Sequence, residues 1–173
     1  AVASGIREAN PKDKTQPLLD SPICKDVINW YRRCSLAKDL PEHNALVVHA
    51  GVWPEFDRIT LLKEIQLVHQ RLLADDWSES VRLMYGNEPA HFDKAKTDDE
   101  KARFLINPCT RMRFVDQKSL TLDFNFKDVP ELAPQNLCAW MNAPNRLNID
   151  RQILFGHWAS LNGRVNNNDI VAL

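Results

Sequence analysis

Two apolar runs, Val47-Val48-His49-Ala50-Gly51 and Leu154-Phe155-Gly156-His157-Trp158, constrain this chain more than any other feature. Each is too short and too apolar for a surface helix, reads as a buried strand, and stops at a histidine beside a glycine. Glycine at such a point permits a sharp turn or close backbone approach. A strand end at the rim of a sheet holds an imidazole rigidly, and its neutral nitrogen suits zinc, manganese, iron or cobalt. Two histidines make half of a hydrolytic metal site, because the carboxylates that bridge and charge-balance a metal pair are missing. The alternative is a pair of core histidines hydrogen-bonded to backbone. His43, His69 and His91 are read as structural: one precedes a strand, one sits on a helix face and one lies in a charged loop.

The rest of the pattern alternates helix and strand. Ser21 and Pro22 open a helix carrying Val27, Trp30, Tyr31 and Cys34 at helical spacing. Ala45 to His49 follows as a strand. Asp57 caps a helix to about Ala74 with Leu61, Ile65, Val68 and Leu72 on one face, and a shorter helix runs from Asp76 through Leu83. A helix from Asp98 to Leu105 precedes two runs, Arg111 to Val115 and Leu120 to Phe126, that pair as a hairpin around Asp116 to Ser119. In the second run Leu122, Phe124 and Phe126 alternate with polar residues. Pro130, Pro134 and Pro144 make residues 128 to 150 irregular, and strands at Gln152 to Phe155 and Asp169 to Leu173 close the chain.

With 173 residues and 44% hydrophobic content, one domain with a real core is expected. A net charge of −1 gives no electrostatic reason for a nucleic-acid polymer as partner. No window approaches the ~18 apolar residues of a membrane span, so a membrane partner is not expected either. Cys24, Cys34, Cys109 and Cys138 show neither a CxxC pair nor disulfide-style spacing, which points to reduced thiols and a cytoplasmic protein.

Other residues offer anion chemistry. On a strand, Arg111 and Arg113 would project from one face, with Met112 and Phe114 on the other. A pair of planar, permanently charged donors suits phosphate oxygens, and a solvated strand face is the alternative. Tyr85 and Asn87 add polar groups in a glycine-containing loop. Trp53, Trp77 and Trp140 could stack on a base, although core packing is the commoner fate of tryptophan.

Taken in order, Asn29-Trp30-Tyr31-Arg32-Arg33, His49-Ala50-Gly51, Met84-Tyr85-Gly86-Asn87, Thr110-Arg111-Met112-Arg113-Phe114 and Phe155-Gly156-His157-Trp158-Ala159-Ser160 resemble the bacterial symmetrical diadenosine tetraphosphatases. These belong to the calcineurin-like metallophosphoesterases. The resemblance covers essentially the whole chain. It implies an α/β (α+β) architecture of two packed mixed β-sheets flanked by helices, with a pair of divalent metals at the strand ends. It implies that His49 and His157 are late metal ligands and that Arg111 and Arg113 face the polyphosphate; Tyr85 and Asn87, in their glycine-containing loop, are expected to bind substrate. The implied reaction is hydrolysis of diadenosine tetraphosphate to two ADP, with manganese, cobalt, iron or zinc as cofactor.

The family's opening motifs, Gly-Asp-x-His-Gly, Gly-Asp-x-x-x-x-Gly and Gly-Asn-His-Asp/Glu, are absent. Residues 1 to 173 are therefore expected to be the middle and C-terminal portion of one metallophosphoesterase domain, with the N-terminal part of the sandwich missing. Such a chain is expected to be inactive and poorly folded alone. A noncatalytic nucleotide- or protein-binding homologue, and a serine/threonine protein phosphatase-like enzyme, are the competing expectations. Gly156-His157-Trp158 and the Thr110 to Phe114 segment favour the dinucleotide enzyme over the latter.

Overall fold

A computed structural model describes residues 1–173. Its helices are α1 (Gln16–Leu19), α2 (Cys24–Arg32), α3 (Arg58–Leu73), α4 (Trp77–Leu83) and α5 (Asp98–Thr110). Its strands are β1 (Ala37–Leu40), β2 (Ala45–Val48), β3 (Phe114–Asp116), β4 (Leu122–Asp123), β5 (Leu137–Ala139), β6 (Gln152–Phe155) and β7 (Ile170–Ala172). They form a four-stranded sheet of order β1-β2-β6-β7 and a three-stranded sheet of order β4-β3-β5. The chain is thus mixed α/β with two sheets flanked by helices. The first sheet is mixed, since β2, β6 and β7 run parallel while β1 is antiparallel; the second is wholly antiparallel.

Local chemistry sets several boundaries. Asp57 accepts a hydrogen bond from the Thr60 amide at 2.7 Å and starts α3, which buries Leu61, Ile65 and Val68 along one stripe. Thr97 and Glu100 form a reciprocal capping box at the head of α5. The expected Ser21 cap is displaced: α2 begins at Cys24 with Ile23 as its N-cap, and the Ser21 hydroxyl accepts from the Ile23 amide at 3.4 Å.

The core lies between the sheets and the helices α3 and α5. Leu46 and Val48 of β2, with Ile153 and Phe155 of β6, form the inner face of the four-stranded sheet. Phe155 meets Trp140 edge-on at 5.4 Å, and Phe114 of β3 meets Trp158 at 4.7 Å, so aromatic contacts join the two sheets. Trp53 and Trp140 are both fully buried, the core fate rather than stacking platforms. Arg58 grips Asp150 with two hydrogen bonds and Asp39 with a third, while Arg151 also bonds Asp39. This cluster fastens the start of α3, the edge strand β1 and the segment entering β6.

Three expectations need correction. Residues 111 to 113 are not strand: Arg111 closes α5, which runs on to Thr110 through Pro108, and β3 begins at Phe114. Residues 128 to 150 hold a strand, β5, paired with β3 from Phe114↔Ala139 to Asp116↔Leu137. The hairpin at Asp116 to Ser119 exists, but its second strand is only Leu122–Asp123; Phe124 and Phe126 pack against the core from beyond it.

No helix is long and apolar enough to cross a membrane.

Candidate active site

Val48 of β2 pairs with Phe155 of β6 in parallel register, and the Gly156 amide donates to the His49 carbonyl at 2.9 Å. Each histidine ends a strand, as the sequence suggests, and the structure adds that the two strands are adjacent and parallel, so that both emerge at the same edge. Their rings stand 5.1 Å apart, centroid to centroid, at 63°. Open α/β sheets place ligands at the carboxyl ends of their strands, which is where these rings lie.

His157 occupies the left-handed region at φ 64°, and the Trp158 amide reaches back to the Gly156 carbonyl at 2.7 Å. This three-residue turn is strained for a residue with a Cβ. It leaves the Nε2 atom of His157 buried with no hydrogen-bond partner. Burial holds the His157 pKa below its ordinary value, and the nearby charges of Arg113 and His49 act the same way. A neutral, unpartnered imidazole nitrogen is the form that binds a metal. The paired rings fit part of a divalent-metal site, and no group of three or more His, Cys, Asp or Glu side chains completes it within this chain.

Gly51 lets the backbone after β2 lie against the core. A Cβ there would sit 2.7–2.9 Å from Trp140 Cε2, Trp140 Nε1 and Met112 Cε. The Ala50 amide donates to the Cys109 carbonyl at 2.8 Å, which ties the His49 turn to the end of α5.

The arginines diverge, contrary to a shared strand face. Arg113 reaches toward the histidines and donates from Nη2 to the His157 carbonyl at 3.3 Å, while its Nε is buried without a partner. Arg111 turns to the other side, where Asn107 Oδ1 and Asn87 Oδ1 each accept from it at 2.9 Å and the Gly86 carbonyl at 3.4 Å. Its guanidinium lies 4.4 Å from the Phe124 ring centroid. Neither arginine forms an ion pair, so both positive charges remain uncompensated. Burial depresses the Arg113 pKa from its ordinary value without a carboxylate to oppose it.

Tyr85 is exposed and Asn87 joins the Arg111 cluster. Asn107 was not anticipated. It is fully buried, donates to the Gly86 carbonyl at 3.1 Å and accepts from Arg111, so one side chain locks the loop to the arginine. Its only sequence signal is an amide inside the apolar run Phe104-Leu105-Ile106-Asn107-Pro108-Cys109. Of the remaining histidines, His43 is exposed, His91 packs edge-on against Trp53 at 5.3 Å, and His69 lies on α3 with its Nδ1 buried and without a hydrogen-bond partner.

A symmetrical bis(5'-nucleosyl)-tetraphosphatase of Proteus mirabilis is 37% identical over 172 residues, covering 99% of this chain and 63% of that protein. Along its whole length, the chain is similar to such enzymes. The Haemophilus ducreyi protein of the same name is 36% identical over 175 residues, covering all of this chain and 64% of its relative. The Klebsiella aerogenes one is 35% identical over 173 residues, covering all of this chain and 66% of its relative. The chain thus spans between 63 and 66% of these three curated relatives. No family model matches it.

Proposed function

We propose that this chain supplies two histidine ligands and the polyphosphate-binding arginines of a hydrolase that cleaves diadenosine tetraphosphate into two ADP. In this reading residues 1 to 173 are the middle and C-terminal portion of a single metallophosphoesterase domain, acting in the cytoplasm on a small dinucleoside polyphosphate. The observation that carries it is the pairing of His49 with His157, whose buried Nε2 has no partner and whose ring stands 5.1 Å from that of His49.

His49 and His157 would hold divalent cations, manganese, cobalt, iron or zinc by ligand type. When bound, such a pair of ions supplies an activated water and a clamp on phosphoryl oxygens. The chain's own residues do the rest. The strained turn at His157 fixes the imidazole before any ligand arrives, so little ordering entropy is lost on binding. Arg113, anchored on the His157 carbonyl, sets a permanent positive charge beside the histidines, where it offsets charge developing on the phosphoryl oxygens. Arg111 binds phosphate farther along the chain of four. Attack at a phosphorus beside the central bridge gives two ADP, and which phosphorus meets the water is a matter of positioning.

The missing carboxylates support a second reading, a nucleotide-binding module without turnover. Hydrolysis of diadenosine tetraphosphate with added manganese or cobalt, resolving ADP from ATP plus AMP, separates the two. The expected result is no turnover by residues 1 to 173 alone and ADP as sole product from a form extended to the length of its relatives. ATP plus AMP would reject symmetrical cleavage. Nucleotide binding without turnover by either form would establish the second reading.

A further inference from the structure

We infer that the cavity between α3, α4 and α5 seats one nucleoside of the proposed substrate, with Arg111 linking it to the phosphates; this rests on the functional reading above. The cavity measures about 560 Å³, within the ~300–1,000 Å³ typical of small-molecule sites. Its lining is mainly apolar, from Val68, Leu72, Met84 and Ile106, and its polar rim includes Asn87 and Arg111.

Three features select a ligand with a flat apolar end and an anionic end. First, the Arg111 guanidinium is held by Asn107, Asn87 and Gly86 through neutral oxygens alone and rests on Phe124, so it is rigid and its charge is unmatched. An aliphatic or cationic occupant would leave that charge unanswered. Second, the Asn87 oxygen is committed to Arg111, which leaves its amide N–H groups to donate at the rim. Ring nitrogens of a purine are acceptors of the matching kind. Third, Arg111 lies between the two places: its side chain lines the cavity, and two residues on Arg113 donates to the His157 carbonyl at 3.3 Å. A base in the cavity thus directs its phosphates past Arg111 toward the histidine pair.

The test uses the 173-residue chain in EDTA, so that no metal contributes, with adenosine, ADP and tripolyphosphate as probes. Adenosine is expected to shift the amide resonances of Leu72, Met84, Tyr85 and Asn87. ADP should bind about tenfold more tightly than adenosine, a difference of ~1.4 kcal/mol, and Arg111→Gln should erase that gain while leaving adenosine binding in place. Val81→Phe, which fills the cavity from α4, should abolish the adenosine shifts without moving the ring signals of His49 and His157. In the extended form the same substitution should raise KM for diadenosine tetraphosphate about tenfold, with a smaller change in kcat.

Adenosine shifts that map elsewhere, an unaltered response in Val81→Phe, or an unchanged KM would overturn the inference. Failure of the functional reading looks different: adenosine still enters the cavity while, in the extended form, the histidines take up no cobalt or the products are ATP and AMP. Tripolyphosphate binding at Arg111 with no adenosine shift would also reject the nucleoside seat, leaving an anion site only.

Discussion

At His157 one residue carries both strain and chemistry. A side chain at φ 64° costs ~1–2 kcal/mol relative to glycine, and nothing in the core requires that sign of φ with an imidazole attached. His157→Gly is therefore expected to keep thermal stability near that of the parent, because relief of the backbone offsets lost packing, and to weaken cobalt binding by the extended form, monitored by visible absorption. His157→Ala should weaken cobalt binding likewise and also cost about 1 kcal/mol of stability, since alanine keeps the Cβ without the ring's contacts. Equal melting temperatures for the two variants would refute the strain argument. Gly51 is the converse case. Gly51→Ala drives a Cβ to within 2.7–2.9 Å of Trp140 and Met112, both buried, and overpacking of this kind costs about 1–3 kcal/mol. Denaturant unfolding should show it, and an unchanged midpoint would mean that Trp140 moves aside. The histidine pair was legible in the sequence because strand, histidine and glycine occur together at both places. The arginines misled, because Thr110-Arg111-Met112-Arg113 has the alternation of a strand while Arg111 serves as a helix end. Asn107 was invisible for a different reason: its partners, Gly86 and Arg111, come together only through tertiary packing.

Elements with their own chemistry are the ones a sequence reveals. The start of α5 depends on Thr97 and Glu100, which satisfy each other's backbone groups, so Thr97→Ala should cost about 1 kcal/mol. Amide exchange in the first turn of α5 should accelerate accordingly, and unchanged protection would show that packing on α3 alone holds the turn. The β3–β4 turn depends on Asp116, which accepts from the Ser119 amide and hydroxyl and from the Lys118 amide. These bonds hold its carboxyl down to about 2 from the ordinary 3.8. A depressed folded-state pKa gives stabilisation that is present above the unfolded value and lost as pH falls through the folded one. The turn should therefore loosen between about pH 4 and pH 2. Asp116→Asn, which keeps an acceptor without a titrating proton, should flatten the dependence of hairpin amide protection on pH across that window. A slope equal to the parent's would assign the acid sensitivity elsewhere. By contrast, β1 and β5 gave little local signal. Ala37-Lys38-Asp39-Leu40 has weak strand propensity and is held at an edge by β2 and by the Asp39 ion pairs. Leu137 to Ala139 lies among prolines and is a strand because β3, some twenty residues earlier, pairs with it.

Across the whole molecule the two faces of the four-stranded sheet are unequal. Leu46, Val48, Ile153 and Phe155 are buried against Trp140 and the helices, whereas Val47, Leu154 and Val171, aligned with one another across β2, β6 and β7, are only half-buried. Parallel strands are normally covered on both faces because both carry apolar side chains. A row of aliphatic residues left partly wet across three strands is consistent with the proposal that this chain packs within a larger domain. Neighbouring positions on β6 test it cleanly. Ile153→Thr places a hydroxyl in the dry core and should cost on the order of 2–3 kcal/mol. Leu154→Thr, one residue on but facing outward, should cost less than about 1 kcal/mol in the 173-residue chain, while reducing its binding of a hydrophobic dye and its self-association. In the extended form Leu154→Thr should become nearly as costly as Ile153→Thr, because a second layer would then desolvate the same side chain. If Leu154→Thr is equally mild in both forms, that face is a true surface and the half-covered sheet is simply how this chain folds.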